Sequence, residues 1–170
     1  RGDAELPLGP GRHPTDEAEA NFAAGKLLFF GDRFAIEARD HHANFKSIEA
    51  LQRRLGNTLT STFWRFVEDR DPDAVAFGLI SNHPKYPHIG SKDDGSPIHH
   101  FVASAGFRRR FPAATPLEIY DLVRRNCTWK KRGPVIEGHD VLVDGGGSLV
   151  RFSLDGFSNT YHVLTYGIAR

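Results

Sequence analysis

The sequence contains no methionine, one cysteine and no long hydrophobic run, and each of these features limits what kind of protein it can be. A single cysteine, Cys127, excludes an internal disulfide framework and is typical of a reducing compartment, so we expect a cytoplasmic location. No apolar run approaches the roughly 20 residues that a membrane-spanning helix needs, so we expect no membrane partner. The absence of methionine predicts that the chain is a fragment of a longer protein.

The acidic and basic residues nearly cancel. The 22 Lys and Arg residues against 21 Asp and Glu residues leave a formal net charge of +1. A protein with so little net charge has no strong overall attraction for nucleic acid or anionic lipid. The length of 170 residues, 39% of them hydrophobic, is enough to bury a core in one or two domains. The oligomeric state is left open.

The chain also lacks the histidine pair of a zinc-binding helix. Two His ligands on one helical face stand three or four residues apart, and none of the nine histidines has such a partner. The nearest pair, His83 and His88, is five positions apart and is interrupted by two prolines, which exclude a regular helix. The chain therefore contains no His-Glu-x-x-His motif, and we assign it no catalytic residue.

What the sequence does contain, close to its start, is an acidic residue at the head of an apolar helical stripe. Thr15 fits the role of N-cap, and Glu17 falls in the first turn, where the helix dipole favours a negative charge. The apolar residues that share a face with Glu17 recur at helical spacing: Ala20, Ala24, Leu27 and Leu28. A carboxylate placed in this way points inward and suits a metal ligand.

This block resembles the ImmA/IrrE metallopeptidases, whose members carry Glu-x-x-x-Asn-x-x-Ala-x-x-Leu-Leu on the helix after their zinc-binding helix. The chain matches that pattern at Glu17, Asn21, Ala24, Leu27 and Leu28. The resemblance implies that Glu17 is the third zinc ligand, with Glu19 as the less favoured choice. It also implies that the two His ligands and the general base belong to a segment upstream of Arg1.

The same resemblance implies a function. Family members are stress-response hydrolases, in which a zinc-bound water attacks a peptide bond of a repressor or another regulatory protein. The chain would then be a fragment of a zinc-dependent regulatory metallopeptidase that acts on a protein substrate or regulatory partner. We expect the fragment alone to be inactive and to hold no cofactor tightly. The alternative is a non-catalytic ligand- or protein-binding regulatory module, for example of a transcriptional regulator.

The hydrophobic pattern changes from helical to strand-like near residues 69–73. The sequence therefore predicts an α+β fold, with three to four helices followed by a small antiparallel sheet with one helix. Residues 1–71 would be the C-terminal helical part of a metallopeptidase-like domain. Residues 72–170 would be an α+β C-terminal domain with a sensory or partner-binding role. Helices are predicted over residues 15–40, 47–55, from 58 or 60 onward, and 115–126, and strands over residues 74–81, 98–104, 135–143, 148–154 and 161–169.

The second and third predicted helices would form a helix-turn-helix hairpin. The second of them carries the bulky Phe63, Trp64 and Phe66 where a recognition helix needs hydrogen-bonding side chains, so we expect no nucleic acid binding through it. In the resembled family a similar pattern closes the peptidase domain. The chain matches that pattern at Ser47, Ala50, Leu51, Leu55 and Gly56.

A basic stretch is the candidate site for a ligand or partner. Eight positive residues against Glu118 and Asp121 leave a local surplus of six charges between residues 108 and 132. Such a field could attract an acidic partner, and the attraction would fall with added salt. A solvated helix side is the alternative interpretation. The candidate binding residues are Arg108, Arg109, Arg110, Lys130, Lys131 and Arg132.

Two further interpretations of the C-terminal part stay open. A sheet with one helix is typical of sensory modules of the GAF or PAS kind, which hold a small ligand between sheet and helix, but we expect its aromatic residues to form core. Histidines around the loop over residues 82–97 could form a metal site, although adjacent His99 and His100 on a strand point to opposite faces. The aromatic residues are Phe77, Phe101, Phe107, Phe111, Trp129, Phe152, Phe157, Tyr161 and Tyr166, and the other histidines are His83 and His88.

Overall fold

A computed structural model describes residues 32–87 and 95–170. The block that carries Glu17, and also His88, lies outside these residues. Within them, helices come first and a five-stranded antiparallel sheet follows, which confirms the predicted α+β class. The helices are α1 (Arg33–Arg39), α2 (Phe45–Leu55), α3 (Leu59–Asp69), α4 (Ala105–Arg110) and α5 (Pro116–Asn126). The strands are β1 (Ala76–Ser81), β2 (Ile98–Ala103), β3 (Gly133–Val143), β4 (Leu149–Ser158) and β5 (Val163–Ala169).

Capping residues set the bounds of α2 and α3. Helix α2 begins before the predicted start at residue 47, because Asn44 is the N-cap and its side chain accepts a hydrogen bond from the Ser47 backbone N–H at 3.0 Å. Gly56 ends α2 in the left-handed region, with φ of 70°, which an L side chain would resist. Thr58 caps α3, which agrees with residue 58 rather than residue 60 as the predicted start of this helix.

The strands lie in the order β2-β1-β5-β4-β3, and every neighbouring pair is antiparallel. Strands β3 and β4 form a long hairpin around the Asp-Gly-Gly-Gly turn at residues 144–147, between the two predicted strands, with Val143 opposite Leu149. Strand β4 continues to Ser158, four residues beyond the predicted end. This extension brings the turn after β4 beside the segment that follows α5.

One face of the sheet packs against α4 and α5. The rings of Phe77 on β1, Phe107 on α4 and Phe152 on β4 lie 5.4–6.1 Å apart between centroids and form the centre of the core. Helix α4 was not predicted, because its single turn of apolar contact, through Phe107, has no periodicity to detect. Side chains therefore fill the centre of this layer.

The opposite face of the sheet packs against α2 and α3. Successive residues of a strand point to opposite faces, so Gly78, beside Phe77, faces α3, where an added Cβ would lie 2.8 Å from the Phe63 ring. Phe45 of α2 stacks on Phe157 of β4 at 5.2 Å. The α2–α3 hairpin thus buries its aromatic residues against the sheet, as expected for a core element.

Residues Phe34–Arg170 form one compact unit that includes helices and sheet alike. The predicted division between residues 71 and 72 falls inside this unit, where α3 gives way to β1. Within residues 32–87 and 95–170, no helix combines the length and the apolar character that crossing a membrane requires.

Candidate functional site

The six predicted binding residues fall at two places in the fold. Three lie on α4, where Arg110 contacts Asp144 just beyond the C-terminal end of β3. The other three lie on the loop before β3, which ends at Arg132, next to Gly133. Because β3 has 11 residues and is about 30 Å long, the two groups are too far apart to form one site.

Each arginine of α4 is paired with a carboxylate from another part of the chain. The nitrogen–oxygen distances are 3.5 Å for Arg108 and Glu68, 2.7 Å for Arg109 and Asp73, and 3.1 Å for Arg110 and Asp144. In α5, Arg124 pairs with Asp121 of the same helix, and Arg125 pairs with Asp140 of β3. These pairs cancel most of the positive surplus that the sequence suggests for α4 and α5.

Asp144 connects α4 to the β3–β4 turn. Hydrogen bonds from the Ser148 backbone N–H, at 2.9 Å, and from Arg110 lower the pKa of its carboxyl group. The carboxylate also accepts a bond from the Gly146 N–H at 3.0 Å. Arg110 therefore has a structural partner that offsets its charge.

The loop between α5 and β3 has a different environment. Its exposed side chains lie beside the turn after β1, and we call the six residues together the loop surface: Lys85, Tyr86, Trp129, Lys130, Lys131 and Arg132. Among the residues that the structure describes, none of its four cations pairs with a carboxylate. The sequence explains this, since residues 82–87, 127–134 and 156–163 contain no Asp or Glu.

Three consecutive carbonyl groups fix the backbone of this loop. Each accepts a hydrogen bond of 2.8 Å from a side chain distant in sequence. The donors are the Tyr86 hydroxyl to the oxygen of Trp129, His83 Nε2 to the oxygen of Lys130, and Ser158 Oγ to the oxygen of Lys131. An exposed loop held in this way presents its side chains from a defined backbone, which lowers the entropy cost of binding.

His83 is the buried centre of this arrangement. Its side chain has 0% exposure, its Nδ1 accepts a bond from the Lys85 N–H at 3.2 Å, and its Nε2 donates to the Lys130 oxygen. These bonds define the neutral tautomer with the proton on Nε2. Both ring nitrogens are therefore used, and neither can bind a metal without breaking a bond.

The other histidines that suggested a metal site have separate partners. His99 Nε2 contacts Asn82 Oδ1 at 2.7 Å, whereas the ring of His100 packs edge-on against Trp64 of α3. No group of three or more His, Cys, Asp or Glu side chains that could hold a metal lies within residues 32–87 and 95–170.

Aromatic rings and ammonium groups alternate across the loop surface. Lys85 Nζ lies 5.7 Å from the Trp129 ring centroid, and Lys131 Nζ lies 5.1 Å from that of Tyr86. The two rings meet edge to face at 5.9 Å. Trp129 is nevertheless 68% exposed, so its expected place in the core is wrong. A large exposed aromatic side chain beside unpaired cations is typical of a binding surface.

A strained turn adjoins the same loop. Thr160 has φ of 83°, a left-handed conformation that β-branched residues avoid, and its N–H donates to Ser158 Oγ at 3.4 Å. The next residue, Tyr161, is 71% exposed, which corrects its expected place in the core. Strain of this kind is often kept near functional sites, because the surrounding structure must hold it.

Two clefts elsewhere make weaker candidates. One, of about 370 Å³, opens between α5 and β3 beside Phe111 and Leu142, but its charged Arg125 is already bound to Asp140. The other lies beside Asp155, whose carboxylate accepts a 2.7 Å bond from the Phe45 N–H. The pKa of Asp155 is raised overall, and burial is the main cause. The bond from the Phe45 N–H opposes this shift, whereas the nearby Glu137 carboxylate adds to it.

Cys127 does not provide a nucleophile. It lies at the end of α5 in the core, and burial raises the pKa of its thiol to about 11. At neutral pH the thiol is therefore protonated and weakly reactive.

Sequence reasoning missed the partners of the basic loop. His83, Lys85 and Tyr86 all fall in the predicted loop after β1, and Ser158 reaches the site from the end of β4. The indication that the sequence does give is the run of three basic residues at positions 130–132.

Comparison with known proteins adds no further residue to the site. No protein-family model matches the chain, and no curated protein matches it. Glu17, the predicted zinc ligand, lies outside the residues that the structure describes. Its assignment therefore continues to depend on the match between residues 17 and 28.

Proposed function

We propose that the chain is part of a zinc-dependent regulatory metallopeptidase and that residues 34–170 recognise its protein partner. The loop surface supports the second half of this proposal, since three side chains fix the backbone of a loop that presents an exposed Trp129 and cations without a carboxylate partner among the described residues. The match at Glu17 carries the first half. The two halves can be tested separately.

The metallopeptidase assignment is supported by two sequence matches to one family. The first is the Glu17 block, and the second is the pattern in α2, where Ser47 and Leu51 are buried and Gly56 ends the helix. In this proposal Glu17 and two upstream histidines hold the zinc ion, which when bound supplies an activated water for peptide hydrolysis.

The zinc assignment is tested in a longer protein that contains the segment upstream of Arg1. Glu17→Gln should lower zinc affinity by about 100-fold or more and abolish peptide cleavage, because a three-residue site loses one ligand. Glu19→Gln is the matched control and should retain zinc, measured by mass spectrometry. Equal zinc content in both variants would reject Glu17 as a ligand and would favour the non-catalytic regulatory module.

The recognition role is tested by photo-crosslinking in cells. A photoreactive residue in place of Lys130 should give a discrete crosslinked protein, because this side chain belongs to the loop surface. The matched control places the same residue at Arg109, which is exposed but paired with Asp73. Equal crosslinking from both positions, or none from position 130, would contradict the role of the loop surface.

A further inference from the structure

The geometry points to an acidic protein segment as the partner of the loop surface, with its carboxylates beside Lys130, Lys131 and Arg132. This inference depends on the proposed role of residues 34–170 in partner recognition. It adds the chemical class of the partner, which neither the crosslinking test nor the family resemblance specifies.

Charge is the first argument for an acidic partner. The arginines of α4 and α5 find their carboxylates within the protein, whereas the four cations of the loop surface have none among the residues that the structure describes. Like charges placed together repel one another, and a partner with carboxylates relieves this repulsion. Such a partner would also be attracted from a distance at low salt.

The aromatic rings favour a peptide over a single-stranded nucleic acid. Nucleic acid binding would use ring faces as platforms for the bases. Here the Lys85 ammonium group lies over Trp129, and the Lys131 ammonium group lies over Tyr86. On these faces a stacked base would have to displace an ammonium group, whereas a carboxylate can contact the same ammonium groups without disturbing the rings.

The fixed backbone is the third argument. The carbonyl groups of Trp129, Lys130 and Lys131 each accept a hydrogen bond from a side chain. Two of these side chains lie in the turn after β1, and the third is at the end of β4. A peptide that binds here therefore does not need to order the loop, and more of the interaction energy is available for affinity. Trp, Tyr and Arg are also the residues most often found at the energetic centre of protein interfaces.

The test measures the affinity of the chain for a short fluorescent peptide of alternating Glu and Gly. Fluorescence anisotropy at low salt should show saturable binding that weakens as salt is added. The same peptide with Gln in place of Glu should bind at least about tenfold more weakly, since it keeps the shape and loses the charge. A fluorescent oligothymidylate should bind more weakly than the Glu peptide.

Variants locate the binding. The double change Lys130→Gln and Lys131→Gln should weaken the Glu peptide about tenfold, whereas Arg109→Gln should change its affinity less than about twofold. Ser158→Ala leaves every charge in place but frees the Lys131 carbonyl group, so it should weaken binding severalfold if the fixed backbone matters. Circular dichroism verifies that each variant is folded.

Several results would overturn this inference. They are no binding of the Glu peptide, equal binding of the Glu and Gln peptides, unchanged affinity in the double variant, and tighter binding of oligothymidylate, which would make nucleic acid the partner. A discrete crosslink from position 130 without binding of the Glu peptide would reject the acidic partner and retain the recognition role. Failure of the crosslink would reject the recognition role itself.

Discussion

Two basic runs in this chain look alike in sequence and differ in structure. Arg108, Arg109 and Arg110 on α4 each meet a carboxylate, from α3, from the segment before β1 and from the β3–β4 turn. Lys130, Lys131 and Arg132 meet none among the described residues. The first run connects elements of the fold, whereas the second makes no such connection among the described residues, which is why we propose it as a binding surface. Charge in a sequence therefore indicates function only when its neighbours in the fold are known.

The support beneath the two runs differs as well. The arginines of α4 extend from a helix whose own hydrogen bonds hold the backbone. The loop before β3 has no such ladder, and side chains from distant parts of the chain bind its carbonyl groups instead. The protein thus uses two buried groups, His83 and Ser158, and the half-buried Tyr86 to order a loop that carries mutually repelling charges.

The largest effect should follow from removing the buried support of the loop. His83→Ala deletes two hydrogen bonds and leaves a cavity beneath Lys130, so we expect a loss of about 2–4 kcal/mol in the free energy of unfolding. His139→Ala, on the exposed side of β3, is the matched control and should cost less than about 0.5 kcal/mol. Urea denaturation measures both, and equal losses would contradict the central place of His83.

A smaller effect should follow from Ser158→Ala. Its hydroxyl group is buried and connects the Lys131 carbonyl group to the Thr160 N–H, so we expect a loss of about 1–2 kcal/mol. Ser153→Ala, on the same strand and only partly buried, is the control and should be nearly neutral. Faster amide exchange at residues 130–132 in the Ser158 variant alone would verify that the loop backbone is released. Identical exchange in both variants would contradict the role of this bond.

The pairing of Arg110 with Asp144 predicts that the stability of the fold depends on pH in the acid range. The pKa of Asp144 is lower in the folded protein than in the unfolded chain, so its carboxylate stabilises the fold above the unfolded pKa of about 3.9. That contribution disappears as the pH falls through the lowered folded pKa. Asp144→Asn should therefore reduce stability at pH 7 and flatten its dependence on acid, measured by urea denaturation between neutral pH and acid. The same acid dependence in protein and variant would exclude Asp144 as its source.

The smallest effect should be that of Arg109→Gln. The pair with Asp73 is short but highly exposed, so solvent screens it and its loss should change the free energy of unfolding by less than about 0.5 kcal/mol. Thermal unfolding at low and high salt measures this change. A large loss would mean that the arginines of α4 contribute more to the fold than their exposure allows.

Much of the fold could be predicted from local chemistry. Thr115 and Pro116 indicate the start of α5, and the structure has a full capping box there with Glu118. The Gly-rich turn after Asp144 indicates the β3–β4 hairpin. Such features depend on residues close in sequence, which is why one sequence is enough to find them.

The features that were missed depend on residues far apart in the chain. Large aromatic residues are usually buried, so the sequence places Trp129 in the core, and only the fold shows that it lies at the surface. The bonds from Tyr86, His83 and Ser158 to the loop span 27–47 residues, so no local pattern reveals them. Asn44, three residues before Ser47, caps α2, and both residue types suit that role, so the local pattern alone does not distinguish them.

The most direct test of the loop surface is a nuclear magnetic resonance titration of the isotope-labelled chain with the Glu–Gly peptide. We predict that chemical-shift changes of backbone amides concentrate at residues 83–86, 128–132 and 158–162, while the amide shifts of α4 do not change. Shifts centred on Arg108, Arg109 and Arg110, or spread evenly over both basic runs, would contradict it.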